Sequence, residues 1–286
     1  MCENVLILGR GIGQVMFQNN ALSGLLMLIG IACNSWQLAI LAIAGTIVST
    51  LTASLLKYNK RDIRDGLYGF NGTLVGIAIG VFMEINILSI LLLIAGSALS
   101  TWIAWCFRRQ RLLPGFTAPF ILVVWFLLIG CHYLYPAVLL HSAVENPEYS
   151  ADFFRAFSLN LGQVMFQGNI FTGWFFLAGI LITSRLNVIY AVIGAALPLC
   201  MVLCPYVDVT AWNAGLLGYN GVLCAIALGN SYTWQGIMKP IISVFLSIVL
   251  QLVGMQMGIV TLTAPFVLSV WVVSLLWCEK KEIITS

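Results

Sequence analysis

Charge is scarce in this chain: of 286 residues only 8% are Asp, Glu, Lys or Arg, where soluble globular domains carry roughly a quarter. Water is thereby excluded as the solvent for most of its surface. Histidine occurs twice, at His132 and His141, each isolated in sequence, so the usual material of a metal centre or proton relay is missing. The eight cysteines (Cys2, Cys33, Cys106, Cys131, Cys200, Cys204, Cys224, Cys278) contain no CxxC pair. That pattern supports neither zinc binding nor a disulfide framework and makes them small apolar packing residues. The start Cys2, Glu3, Asn4 lacks the basic opening and small-residue cleavage site of a signal peptide, and is read as part of the mature protein. A dispersed formal charge of +3 gives no footprint for nucleic acid. GRGIGQ at Gly9 lacks the third glycine of a dinucleotide fingerprint and follows no predicted strand. With no cluster of His, Cys and acid at catalytic spacing, the chain is expected to be no enzyme and to need no cofactor.

What is abundant is apolar: 61% of residues are hydrophobic. The runs Trp36 to Leu56, Ile87 to Phe107, Phe116 to Leu134 and Ile237 to Val253 approach or exceed the ~18 to 20 residues that cross a bilayer as a helix. They do not alternate as the strands of a membrane barrel would. The expectation is an all-α integral membrane protein surrounded by membrane lipid.

The chain also repeats itself. GQVMFQNNALSG from Gly13 returns as GQVMFQGNIFTG from Gly162, and GLYGFNGTLVGIAIG from Gly66 returns as GLLGYNGVLCAIALG from Gly215, both at an offset of 149 residues. TAPFILVVW from Thr117 returns as TAPFVLSVW from Thr263, now at 146. Two homologous halves follow, residues 1–150 and 151–286. Short cytoplasmic loops carry excess Lys and Arg. Placing the loops at 57–65, 107–113, 185–187 and 231–239 with both termini on the cytoplasmic side gathers every basic residue there except Arg155. Glu84, Glu145, Glu148, Asp152 and Asp208 then lie outside. This arrangement requires five crossings per half, and an odd number inverts the second half relative to the first, with any solute path at the interface of the repeats.

Polar residues inside the repeated blocks need a reason to be in lipid. Gln14 and Gln163 are assigned to a polar path, whereas Gln18, Gln167, Asn20 and Asn169 either line it or join helices by hydrogen bonds. GQVMFQ is either a half-helix dipping into the membrane or the first arm of one kinked helix. Phe17 and Phe70 are matched by Phe166 and Tyr219, which suggests paired flat walls around a slot suited to a planar solute. No Asp or Glu falls inside a span, which disfavours a charged substrate. Asn71, Gly72 and Thr73 spell a glycosylation sequon, read here as a chance match within a buried block.

GQVMFQNNALSG, GLYGFNGTLVG and LPGFTAPF, together with their second-half counterparts, resemble the urea transporter family, bacterial-type urea channels included. The resemblance covers nearly the whole chain. It implies five transmembrane helices and one re-entrant helix per repeat, a homotrimer with one pore per subunit, urea as the solute, and the cell inner (plasma) membrane as the location. Position by position it makes Gln14 and Gln163 polar pore residues and has Thr117 and Thr263 contribute hydroxyl oxygens. Phe17, Phe70 and Leu74 would wall one end of a selectivity filter, and Val164, Phe166, Tyr219 and Leu223 the other. Two departures stand out: some bacterial members carry Glu where this chain has Gln163, and VTLTAPF lacks the proline of LPGFTAPF. The expected activity is passive flux of urea; a channel for short amides, ammonia or water, or a non-transporting amide-binding membrane protein, are the alternatives.

Overall fold

The computed structural model describes residues 2–110, 113–140, 148–204, 207–229 and 231–283, the side chains of Cys2, Gln235 and 278–283 excepted. Arg111 and Glu145, placed in loops by their charge, lie outside the described residues, as does His141. In chain order the helices are α1 (Cys2–Gly13), α2 (Ala21–Asn34), α3 (Trp36–Leu55), α4 (Lys60–Arg64), α5 (Gly69–Phe82), α6 (Ile87–Arg109) and α7 (Ala118–Leu134). They are followed by α8 (Phe153–Gly162), α9 (Ile170–Thr183), α10 (Arg185–Ala196), α11 (Val209–Asn213), α12 (Tyr219–Leu228), α13 (Trp234–Gln256) and α14 (Ala264–Ile283). The described residues form no named strand; a lone antiparallel bridge joins Met83 to Leu139.

The helix ends follow from local chemistry. Asn34 and Thr183, the last residues of α2 and α9, are followed by Ser35 and Ser184 in extended backbone, and these cap α3 and α10 by accepting from Leu38 N and Asn187 N. Asn86 and Ser89 form a reciprocal capping box at the start of α6. α13 begins at Trp234, inside the segment 231–239 expected as loop, and carries Pro240 in its interior. A proline cannot bond to the carbonyl four residues before it. Here that carbonyl, Gly236 O, accepts from the Tyr190 hydroxyl at 2.9 Å instead.

Among the described residues, four helical stretches, Trp36–Leu55, Ile87–Arg109, Arg185–Leu203 and Gly236–Gln256, are long and apolar enough to cross a bilayer. Their outer faces carry exposed Leu51, Ile87, Leu91, Val249 and Val253, the surface that lipid would cover. α5 and α12 differ: Gly69 through Ile79 is almost wholly buried, as is Tyr219 through Ile226. A helix that is apolar all round belongs in the interior, and these two form the centre of the molecule. Glycine permits their close packing: a Cβ at Gly45 of α3 would lie 2.0 Å from Gly72 O of α5, and one at Gly24 of α2 would lie 1.8 Å from Gly9 O of α1.

α1 and α2 form a pair bent by 72°, and α8 and α9 a pair bent by 71°. The two pairs meet along an antiparallel contact of α2 with α9. Thr172 donates to Gly30 O at 2.8 Å, and the Ser23 and Thr183 hydroxyls are 2.6 Å apart. Asn34 Nδ2 donates to Gln167 Oε1 at 3.0 Å, at the opposite end of the contact. The connecting segment is tied to α11: Glu148 N donates to Thr210, Asp152 N to Asn213 Oδ1, and Arg155 reaches Glu148 at 2.8 Å. Arg155, the exception in the charge map, thus has an acidic partner.

Candidate functional site

The repeated block GQVMFQ is a helix end followed by a sharp turn. α1 tightens into a 3₁₀ turn at Gln14–Met16, and Phe17 then adopts left-handed backbone with φ 63°. Gln18 N bonds back to Gly13 O at 3.0 Å while the Gln18 amide donates to Met16 O. The second half does the same: Phe166 has φ 60°, Gln167 N bonds to Gly162 O at 3.1 Å, and the Gln167 amide reaches Met165 O. Asn20 and Asn169 cap α2 and α9. The open question over Gln18, Gln167 and the two asparagines therefore resolves toward structure: the two glutamine amide nitrogens and the two asparagine cap oxygens build the turn that presents Phe17 and Phe166.

A second pair of turns precedes the TAPF blocks. Phe116 (φ 43°) and Leu262 (φ 50°) are also left-handed, just before Thr117 and Thr263 at the starts of α7 and α14. Such backbone costs a non-glycine residue about 1–2 kcal/mol. Four of the five non-glycine residues with positive φ among those described are these two and the two bend phenylalanines, and strain of this kind gathers at functional sites. Buried asparagines hold the turns. Asn71 Oδ1 of α5 accepts from Phe120 N at 3.1 Å and its amide faces Phe116 O at 3.4 Å; Asn220 of α12 repeats both contacts with Phe266 N and Leu262 O at the same distances.

These four turns converge on one point. Thr117 Oγ1 and Thr263 Oγ1 lie 2.7 Å apart, both buried. Each bend phenylalanine packs against the TAPF phenylalanine of the other half: Phe17 on Phe266 and Phe166 on Phe120, in both cases at 6.1 Å between ring centres with steeply inclined planes. Phe17 also meets Phe116 at 5.8 Å, and Phe166 meets Phe82 at 5.9 Å. The tryptophans closing the TAPF blocks staple the halves reciprocally, Trp125 Nε1 donating to Val260 O at 2.7 Å and Trp271 Nε1 to Pro114 O at 2.9 Å.

A cavity of about 560 Å³ leads to the threonine pair from one side; Gln14, Phe17, Phe70, Asn71, Phe116 and Thr117 are in its lining. Gln14 donates to Asp65 O at 2.8 Å, which leaves its carbonyl oxygen to act as an acceptor. The charge at the rim is Arg108, paired with Asp62 at 2.7 Å. On the second-half side, Tyr219 stands where Phe70 stands in the first half, and its hydroxyl donates to Leu262 O, next to Thr263.

Of the residues expected from the sequence, Gln14, Phe17, Phe70 and Thr117 share this cavity and Thr263 meets Thr117. Phe166 sits in the second-half bend and Tyr219 at the start of α12, while Gln163, half-buried, opens the 3₁₀ turn before Phe166. Leu74, Val164 and Leu223 are packed in the core, and Leu74 does not line the cavity, whereas Val15 does. Sequence reasoning gave no role to Asn71, Asn220, Trp125, Trp271, Gln251 or Thr261. The signal for the first four was present, since each recurs at the offset of its block.

Long apolar helices, two matching bent pairs and a neutral polar centre where their turns meet define a multi-pass, all-helical membrane protein. Residues 5–277 match the family model described as Urea transporter, and the chain belongs to the urea transporter family. Urea transporter 1 of Mus musculus is 34% identical over 252 residues, which covers 79% of this chain and 64% of the mouse protein. Urea transporter 1 of Rattus norvegicus matches with the same figures. Urea transporter 1 of Capra hircus is 30% identical over 301 residues, covering 96% of this chain and 77% of the goat protein. The match thus spans just under two thirds of the mouse and rat proteins.

Proposed function

We propose that this chain is a passive, channel-like urea transporter whose path runs between two inverted repeats, residues 1–150 and 151–286, through the Thr117–Thr263 contact. The observation that carries the reading is that contact: two hydroxyls from corresponding positions of the two halves, flanked by the crossed aromatic pairs Phe17–Phe266 and Phe166–Phe120. Urea is planar and neutral, with four N–H donors and one carbonyl. Stripping its water without replacement costs several kcal/mol, which acceptor oxygens along a narrow path offset. Gln14 and Gln163 supply amide oxygens before and after the centre, and Thr117 and Thr263 exchange their mutual bond for N–H···O bonds to the solute. Phe17 and Phe70 form the wall at one mouth, Phe166 and Tyr219 the wall at the other, with Leu74, Val164 and Leu223 packed behind them. Hydrated ions find no charge in the filter to replace their shells.

In this reading α2, α3, α5, α6 and α7 make the five crossings of the first repeat and α1 is its re-entrant helix; α9, α10, α12, α13 and α14 with α8 serve the second. Both termini are cytoplasmic, the membrane is the cell inner (plasma) membrane, and three copies assemble with one path each. The 72° and 71° bends support re-entrant helices over singly kinked spans, because a helix so bent cannot continue straight across.

The test is stopped-flow urea flux in liposomes holding the purified protein, with empty vesicles and Thr117→Val as controls. Saturable flux, independent of proton or sodium gradients and reduced about tenfold or more by Thr117→Val, is the expected result, since a lost acceptor at a dry centre raises the barrier locally. Uphill accumulation driven by an ion gradient would contradict the mechanism. A larger flux of acetamide, ammonia or water than of urea would reassign the solute.

A further inference from the structure

The two sides of the threonine contact are not chemically equal. In the first half the position beside the strained turn is Phe70, and Gly115 precedes Phe116; in the second half the corresponding residues are Tyr219 and Thr261, which precedes Leu262. The added hydroxyls join a buried network that the described residues of the first half do not form. Thr261 donates to Gln251 Oε1 at 2.8 Å, Asn220 Nδ2 donates to the same oxygen at 3.1 Å, and Tyr219 Oη lies 3.3 Å from Thr261 Oγ1. Tyr219 donates to Leu262 O. Gln251 comes from the C-terminal part of α13 and is 3% exposed.

The hydrogens in this network are spent on internal partners: the Thr261 proton on Gln251 and the Tyr219 proton on Leu262 O. What the phenol and the threonine retain for a visitor is lone pairs. We infer that Gln251 is a positioning residue for the permeating solute: by taking the Thr261 and Asn220 protons it fixes the Tyr219 hydroxyl as an acceptor beside Thr263, which makes this side of the path select for solutes rich in N–H donors. The inference rests on the proposed neutral-solute path. It separates solutes by donor count, favouring urea, with four N–H groups, over acetamide, with two, of nearly the same size. The first-half side, with Phe70 and Gly115 at these positions, has an aromatic face where the second half has the Tyr219 and Thr261 hydroxyls.

The test uses the full chain in liposomes and compares urea with acetamide flux in wild type, Gln251→Met, Tyr219→Phe and the double variant, with Thr261→Ser as the variant that keeps the hydroxyl. Each single substitution is expected to lower the urea-to-acetamide flux ratio about fivefold, the worth of one hydrogen bond. The double variant should fall no further than Tyr219→Phe alone, because one residue acts through the other. Thr261→Ser should keep the wild-type ratio. A ratio unchanged in Gln251→Met and Tyr219→Phe, with only the melting temperature lowered, would overturn the inference and leave the network structural. An additive double variant would overturn the coupling through Tyr219. Should wild type pass acetamide and exclude urea, the urea function fails on its own. The inference is then read from acetamide against N-methylacetamide, which has one N–H fewer, with the same loss of preference expected. A wild type passing neither solute overturns both.

Discussion

At the scale of single residues, Asn71 and Asn220 show how one side chain fixes a site it does not itself complete. Each occupies both ends of its amide on the backbone of a strained turn, at an N–H two residues after the TAPF alanine and at a carbonyl just before the threonine. Asn71→Leu preserves volume but leaves Phe120 N and Phe116 O unpaired in the interior. The expected cost is about 2–4 kcal/mol, since buried groups lose their full compensation. Thermal melting in detergent checks the stability, and urea flux in the refolded fraction should fall with it as Thr117 loses its fixed approach. Asn71 is fully buried against α7, so no glycan is expected there. The threonines and bend phenylalanines were legible in the sequence because repetition singled them out within lipid-soluble surroundings. Asn71 was in the same repeated block, yet its role depends on the fold of a turn 45 residues away, which composition and spacing do not encode. Gln251 and Thr261 were hidden for the opposite reason: they occur in one half only, so the repeat that exposed the others passed over them.

At the scale of helices, close crossings decide which glycines matter. A Cβ at Gly24 would sit 1.8 Å from the Gly9 carbonyl, where backbone, not a movable side chain, is in the way. Gly24→Ala must part α1 from α2 and is expected to cost about 3 kcal/mol or more, at the upper end of overpacking. Loss of monodisperse protein on gel filtration and a lowered melting temperature are the readouts. Gly130→Ala, with nothing within 4 Å of the added carbon, is the matched control and should melt as wild type does. The long helices were readable because apolar length alone specifies them: the runs from Trp36, Ile87 and Ile237 return as α3, α6 and α13 with ends shifted by a few residues. The bends were not. Whether GQVMFQ continues or breaks depends on the left-handed backbone at Phe17 and Phe166, a conformation phenylalanine rarely takes and its sequence does not announce.

At the scale of the whole molecule, the junction between halves is held by a small polar clamp of Glu148, Asn213 and Arg155. Hydrogen bonds from Asn213 and then Arg155 hold the Glu148 carboxyl below the usual carboxylate range. A lowered folded value means that the clamp is intact above the ordinary carboxylate pKa of about 4.3 and is lost as pH falls through the depressed value. Protease nicking at 148–152 is therefore expected to rise in acid below about pH 4, and Glu148→Ala should show the same nicking at neutral pH. Flux through the centre should not follow it. The contact of α2 with α9 carries a different message. Two identical half-chains would form every bond across it twice, once in each sense. Here Asn34 bonds Gln167, but the counterpart of Asn34 is Thr183, which turns to Ser23 and leaves the buried Gln18 Oε1 with no hydrogen-bond partner among the described residues. On the proposed reading of two repeats, one polypeptide carries both copies, so a substitution need not serve both sides of an axis, and the unanswered oxygen of Gln18 is where that freedom would show. A tandem gene can let its copies drift apart one contact at a time, as a symmetric pair of separate chains cannot.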